Sequence, residues 1–141
     1  MAISEVAAML GLKEKVRTPL DLVTLSEKGL PKRAVSRLVK LLSINPGEIA
    51  PLLLVSRKTV ERYKGDLETH LSRSVSERVL RIAIVAERCG EVFGDAKRSN
   101  EWLKSENAAL GGRTPLGLMR SDFGIEMVVN ELGRIEHGII S

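Results

Sequence analysis

The chain has 141 residues, of which 43% are hydrophobic and 3% aromatic, and a formal net charge of +4. That length fits one domain or two small ones sharing a core, and that apolar content excludes a disordered chain. With so few aromatic rings, the core must be Leu, Val, Ile and Ala packed helix on helix. No run of about 18 apolar residues occurs, so no membrane-spanning helix is expected. Met1 to Leu12 holds Ser4 and Glu5 and no cationic stretch ahead of an apolar one, so no secretory signal is expected. The lone Cys89 cannot form an internal disulfide, which points to the cytoplasm.

The charge is unevenly placed. Residues 1–73 hold 13 Lys/Arg against 8 Asp/Glu, a net of +5, whereas residues 74–141 hold 9 against 10, a net of −1. A polyanionic partner is therefore expected for the first half only.

The pattern predicts an all-α fold, because no segment sustains period-two alternation. In chain order, helices are expected near 4–10, 19–28, 32–42, 46–54, 56–64, 75–93, 95–104, 115–120 and 122–133. Thr18-Pro19 and Thr114-Pro115 each place a capping hydroxyl before a helix-opening proline. Asn45 with Glu48, and Ser74 with Glu77, have capping-box spacing. Gly29, Gly65, Gly94 and Gly133 stand where helices should end. In the long helix, Val75, Val79, Ile82, Ala83, Ala86, Cys89 and Phe93 step by three and four onto one face, with Arg78, Arg81, Glu87, Arg88 and Glu91 away from it. The polar stretch from Asp66 to Arg73 suggests a division into residues 1–70 and 71–141.

Pro46 to Lys64 has the spacing of a helix-turn-helix. Ala50 supplies the small residue where the second helix crosses, and Ile49, Leu53, Val55, Val60 and Tyr63 line the shared interface. Ser56 is a good N-cap for the second helix. Ser56, Arg57, Lys58, Thr59, Arg62 and Lys64 are the candidate DNA contacts, since Arg and Lys neutralise phosphates and donate to guanine edges. Two residues depart from the pattern. Leu54 occupies the turn position that favours glycine, and Pro51 falls inside the first helix, where it would kink or shorten it. Either the turn is looser than usual, or the segment is a plain helical hairpin.

The last third carries the most specific motifs. Trp102-Leu103 is followed by Asn107-Ala108-Ala109-Leu110-Gly111-Gly112-Arg113-Thr114-Pro115, a helix over Phe123 to Leu132, and Gly133-Arg134-Ile135-Glu136-His137-Gly138. Gly111-Gly112 permits either a turn closed to other residues or close approach of another chain. The apolar Ile139-Ile140-Ser141 tail is built to dock on its own domain or on a partner.

These motifs, with Ser56-Arg57-Lys58-Thr59-Val60-Glu61-Arg62 upstream, resemble the antitoxins of the Xre/MbcA/ParS group, which pair with RES-domain toxins. Many members have Pro after the loop Asn, where this chain has Ala108. The resemblance implies an Xre-like N-terminal domain and a C-terminal toxin-binding domain. It implies toxin contacts at Gly111, Gly112, Arg113, Arg134, Glu136, His137, Ile139, Ile140 and Ser141, with the chain end occluding the pocket of an NAD-consuming toxin. It also implies a homodimer that binds operator DNA and represses its own operon, with half-sites about one helical turn apart.

No enzyme is expected. His70 and His137 are the only histidines, Cys89 shares an apolar face with Ala86 and Phe93, and neither zinc-ligand spacing nor a glycine-rich phosphate loop occurs. No cofactor and no metal are expected. The competing expectations are a stand-alone regulator whose C-terminal part only dimerises, and an interaction module that has lost DNA binding.

Overall fold

The structure is a computed structural model and describes residues 3–138. Nine α-helices lie among them: α1 (Ser4–Met9), α2 (Pro19–Lys28), α3 (Arg33–Leu42), α4 (Pro46–Leu53), α5 (Arg57–Arg62), α6 (Arg73–Phe93), α7 (Ala96–Lys104), α8 (Pro115–Leu118) and α9 (Asp122–Glu136). Short 3-10 turns cover Tyr63–Gly65 and Ala108–Leu110. Isolated bridges pair Pro31 with His70 and Asn107 with Arg113. Among the described residues, no helix is long and apolar enough to cross a membrane.

The long α6 is the spine. It packs against α1, α2, α3, α4, α7 and α9. Val79, Ile82, Ala83 and Cys89 on it are fully buried, and Leu38, Ile49, Leu103, Val128 and Leu132 from its neighbours close the same core. The segment before α6 folds back on the link between α2 and α3. Leu71 N–H donates to the Leu30 carbonyl, Lys32 N–H to Thr69 and Arg33 N–H to Leu67, at 2.7, 2.9 and 2.9 Å.

Several helix ends follow the capping chemistry. The Thr18 hydroxyl accepts from Asp21 N–H, and the Asp21 carboxylate accepts from the Arg17 and Thr18 amides at 2.8 and 3.0 Å. Asn45 and Glu48 form the reciprocal box at α4.

Three expectations are corrected. The cap of α6 is Ser72, whose hydroxyl accepts from Val75 N–H, so Ser74 and Glu77 form no box there. Ser76 is fully buried instead, and its hydroxyl accepts from Leu30 N–H at 2.9 Å. Gly133 does not end α9, which runs on to Glu136; Gly138, at φ 68°, is the left-handed residue after it. A Cβ at Gly133 would sit 3.3 Å from the Arg88 guanidinium, so this glycine makes room for Arg88 to pair with Glu136 at 3.1 Å. Finally, Arg78 does not lie away from the core face of α6: it is 6% exposed.

Candidate functional site

The helix-turn-helix is formed by α4 and α5. Ile49, Ala50, Leu53 and Val60 are buried between them, with Val55 and Tyr63 partly so. The turn is tight. Leu54 adopts φ 59° and ψ 38°, the conformation that glycine usually supplies, and its side chain points into solvent. Pro51 lies inside α4, which still closes at Leu53, and it has no N–H to give to the Gly47 carbonyl.

Ser56 caps α5, accepting from Thr59 N–H at 3.1 Å. Arg57, Lys58, Arg62 and Lys64 project from α5 and the 3-10 turn after it, and all are exposed. Arg57 pairs with Glu61 at 3.3 Å. Thr59 is half-buried, and its hydroxyl is shared between Ser56 and the Arg62 guanidinium.

In the C-terminal half, the segment from Asn107 to Arg113 closes on itself. Asn107 N–H donates to the Arg113 carbonyl at 3.1 Å, Gly112 N–H donates to the Asn107 carbonyl at 2.9 Å, and the Asn107 side chain accepts from Ala109 N–H. Gly111 and Gly112 have φ of 71° and 79°, and a Cβ on either would meet nothing within 4 Å. Backbone conformation, rather than crowding, requires glycine here. Gly111, Gly112 and Arg113 are exposed, so the loop presents a fixed, protruding backbone. Its 3-10 turn packs on α9.

At the far end of α9, Arg134 lies 3.5 Å from Glu131, Glu136 is held by Arg88, and His137 is exposed. Ile139, Ile140 and Ser141 lie outside the described residues.

Two α7 side chains brace the end of α3: Asn100 donates to the Leu41 carbonyl at 3.1 Å, and Lys104 to the Ser43 carbonyl at 2.7 Å. Arg78 braces the end of α4. It donates to the Leu52 carbonyl at 2.9 Å and to the Met119 carbonyl, and pairs with Asp122 at 3.1 Å. Burial pushes the Arg78 pKa down, and the Asp122 carboxylate works against that shift. One buried guanidinium thus ties the helix-turn-helix to the link between α8 and α9. Sequence patterning missed it, and it missed Phe123 too, which is 83% exposed.

Cys89 is fully buried, and burial pushes its thiol up to about 12, so it stays protonated at neutral pH. Among the described residues, no group of His, Cys, Asp and Glu could hold a metal ion.

Residues 21–83 match the antitoxin Xre-like helix-turn-helix domain, and residues 90–138 match the antitoxin Xre/MbcA/ParS C-terminal toxin-binding domain. The chain belongs to the Xre/MbcA/ParS antitoxins. This antitoxin is 27% identical over 115 residues to the Antitoxin Xre of Photorhabdus laumondii, a match spanning 81% of this chain and 77% of that protein. It is 33% identical over 67 residues to the Antitoxin Xre of Yersinia enterocolitica, spanning 47% of this chain and 45% of that one. A chain in the crystal structure of the M. tuberculosis MbcT-MbcA toxin-antitoxin complex shares its fold, with a TM-score of 0.56 at 20% identity, over 89% of this antitoxin and 100% of that chain.

Proposed function

We propose that this antitoxin neutralises a cognate RES-domain, NAD-consuming toxin by stoichiometric binding that occludes the toxin's active site, and that its helix-turn-helix binds operator DNA to repress its own operon. Toxin and operator both lie in the cytoplasm, where it acts. The observation that carries the toxin reading is the closed, exposed Asn107–Arg113 loop packed on α9 within the matched toxin-binding domain. A partner meets a pre-set backbone there and little conformational freedom is lost on binding. Gly111, Gly112 and Arg113 form that contact, and the chain from Arg134 to Ser141 reaches the toxin's pocket.

The DNA reading is supported by the tight turn at Leu54 and by the exposed cations of α5. Ser56, Arg57, Lys58, Thr59, Arg62 and Lys64 face the operator. Division of labour follows the chain, with residues 1–70 on DNA and residues 71–141 on toxin. A homodimer presents two such faces. Its contact is the apolar surface carrying Val23 and Phe123, where the groove between α2 and α6 meets the groove between α6 and α9 at Arg81. Light scattering on Phe123→Ser checks this, and an unchanged dimer mass removes Phe123 from the contact.

The deciding experiment is co-expression with the product of the neighbouring gene, read by growth and co-purification. The full chain is compared with one ending at His137, which leaves α9 intact. Rescue by the full chain alone supports occlusion by the chain end. Rescue by both places the inhibition elsewhere on the domain, and rescue by neither overturns the toxin assignment.

A further inference from the structure

We propose that Lys104 and Arg120, both from the C-terminal half, hold a backbone phosphate of the DNA beside Arg57, so that the toxin-binding half takes part in DNA binding. The inference rests on the operator-binding reading above and extends the DNA surface beyond the helix-turn-helix.

An open groove of about 410 Å³ runs between α4 and the C-terminal half, lined by Gly47, Glu48 and Pro51 on one side and Lys104, Thr114 and Arg120 on the other. Arg57 of α5 reaches the same rim: its Nη1 lies 3.8 Å from the place a Cβ on Gly47 would occupy. Single cations from three separate parts of the chain, Arg57 of α5, Lys104 at the end of α7 and Arg120 in the link after α8, therefore border the groove beside α4.

Those cations have capacity left over. Arg120 is exposed and has no carboxylate partner among the described residues. Lys104 spends one of its three N–H donors on the Ser43 carbonyl and keeps two. The one carboxylate lining the groove, Glu48, accepts from Asn45 N–H at 3.2 Å and keeps its charge, but the Lys104 and Arg120 cations on the lining outnumber it. An arginine and a lysine lining one opening suit a phosphate, the first through paired N–H groups and the second as a point charge. Continuity with Arg57, which the operator-binding reading places on DNA, selects the phosphate of a duplex over an isolated anion.

Thr114 lines the groove, and Arg113 before it closes the exposed loop.

The test is fluorescence anisotropy of the full-length protein on a duplex from upstream of its own gene and on a random duplex of equal length, each over a salt series. Losing one phosphate contact lowers the slope of log K against log salt by about 0.9. Arg120→Ala and Lys104→Ala are each expected to show that drop and to weaken both duplexes several-fold, while Arg120→Lys keeps the slope and Arg120→Glu weakens binding further. Among the described residues the exposed Arg120 side chain makes no hydrogen bond or ion pair, so its variants should melt like the parent. Parent-like slopes in Arg120→Ala and Lys104→Ala, alongside weakened binding in Arg57→Ala, overturn the clamp and leave operator binding standing. Unchanged binding in Arg57→Ala and Arg62→Ala as well overturns both.

Discussion

The Arg78 guanidinium donates to the Leu52 carbonyl across 2.9 Å, linking α6 to the last turn of the first helix-turn-helix helix. The same group donates to the Met119 carbonyl, and Leu52 and Met119 are both buried. Arg78→Met leaves two buried carbonyls without donors. The expected loss is about 2–6 kcal/mol, at about 1–3 per orphaned group. Arg78→Lys recovers part of it, because a single ammonium cannot span the fork. Urea unfolding of the two variants measures both effects.

Leu54 gives the opposite sign. A left-handed non-glycine residue costs about 1–2 kcal/mol, and glycine returns about 0.5–1 of that through unfolded-chain entropy. The Leu54 side chain is 65% exposed and contributes little burial. Leu54→Gly is expected to stabilise the protein by about 0.5–1 kcal/mol, read as a raised urea midpoint at constant slope.

Gly124 allows the closest approach in the C-terminal half. A Cβ there would overlap the Leu118 carbonyl. Backbone cannot retreat like a side-chain tip, so Gly124→Ala is expected to cost about 3 kcal/mol, the upper end of overpacking. The control is Gly90→Ala, which meets nothing within 4 Å and sits inside α6. It should stabilise by about 0.5–1 kcal/mol.

Acid sensitivity is expected at the start of α2. The Arg17 amide, then the Thr18 amide, hold the Asp21 carboxyl below its ordinary value of 3.8. A depressed pKa in the folded state contributes stability that is fully present above the unfolded value and is lost as pH falls through the folded one. Glu14 acts in the same sense, lowered first by the Lys28 hydrogen bond. Asp21→Asn should therefore unfold less steeply with falling pH below about 4, followed by circular dichroism.

Much of this was legible in the sequence because it is local. The Asn45 and Ser56 caps and the buried Ile49, Ala50, Leu53 and Val60 follow from spacing within one turn or one helix face, and the Asn107 to Pro115 loop from the resemblance to the family motif. Arg78 was not legible. It stands three residues after Val75 and four before Ile82, at the edge of the buried face, but a charged residue reads as solvent-facing unless its partners are known. Two of those partners are backbone carbonyls 26 and 41 residues away, which leave no mark on composition. Gly133 misled for a related reason. Glycine marks helix ends, whereas this one clears space for Arg88, 45 positions earlier. Phe123 is exposed at the first turn of α9, and periodicity gives it no distinguishing sign.

The spine helix α6 also bears on how such chains diversify. It lends side chains to α1 through α4 on one side and to α7 and α9 on the other. A graft that replaces the C-terminal half of this chain with a relative's must bring a matching α6 or open voids in the core. Under the proposed toxin reading, partner specificity changes most readily at the Asn107–Arg113 loop, where Gly111, Gly112 and Arg113 are exposed. The expected signature in evolution is a fixed scaffold with a drifting loop, in place of exchanged cassettes.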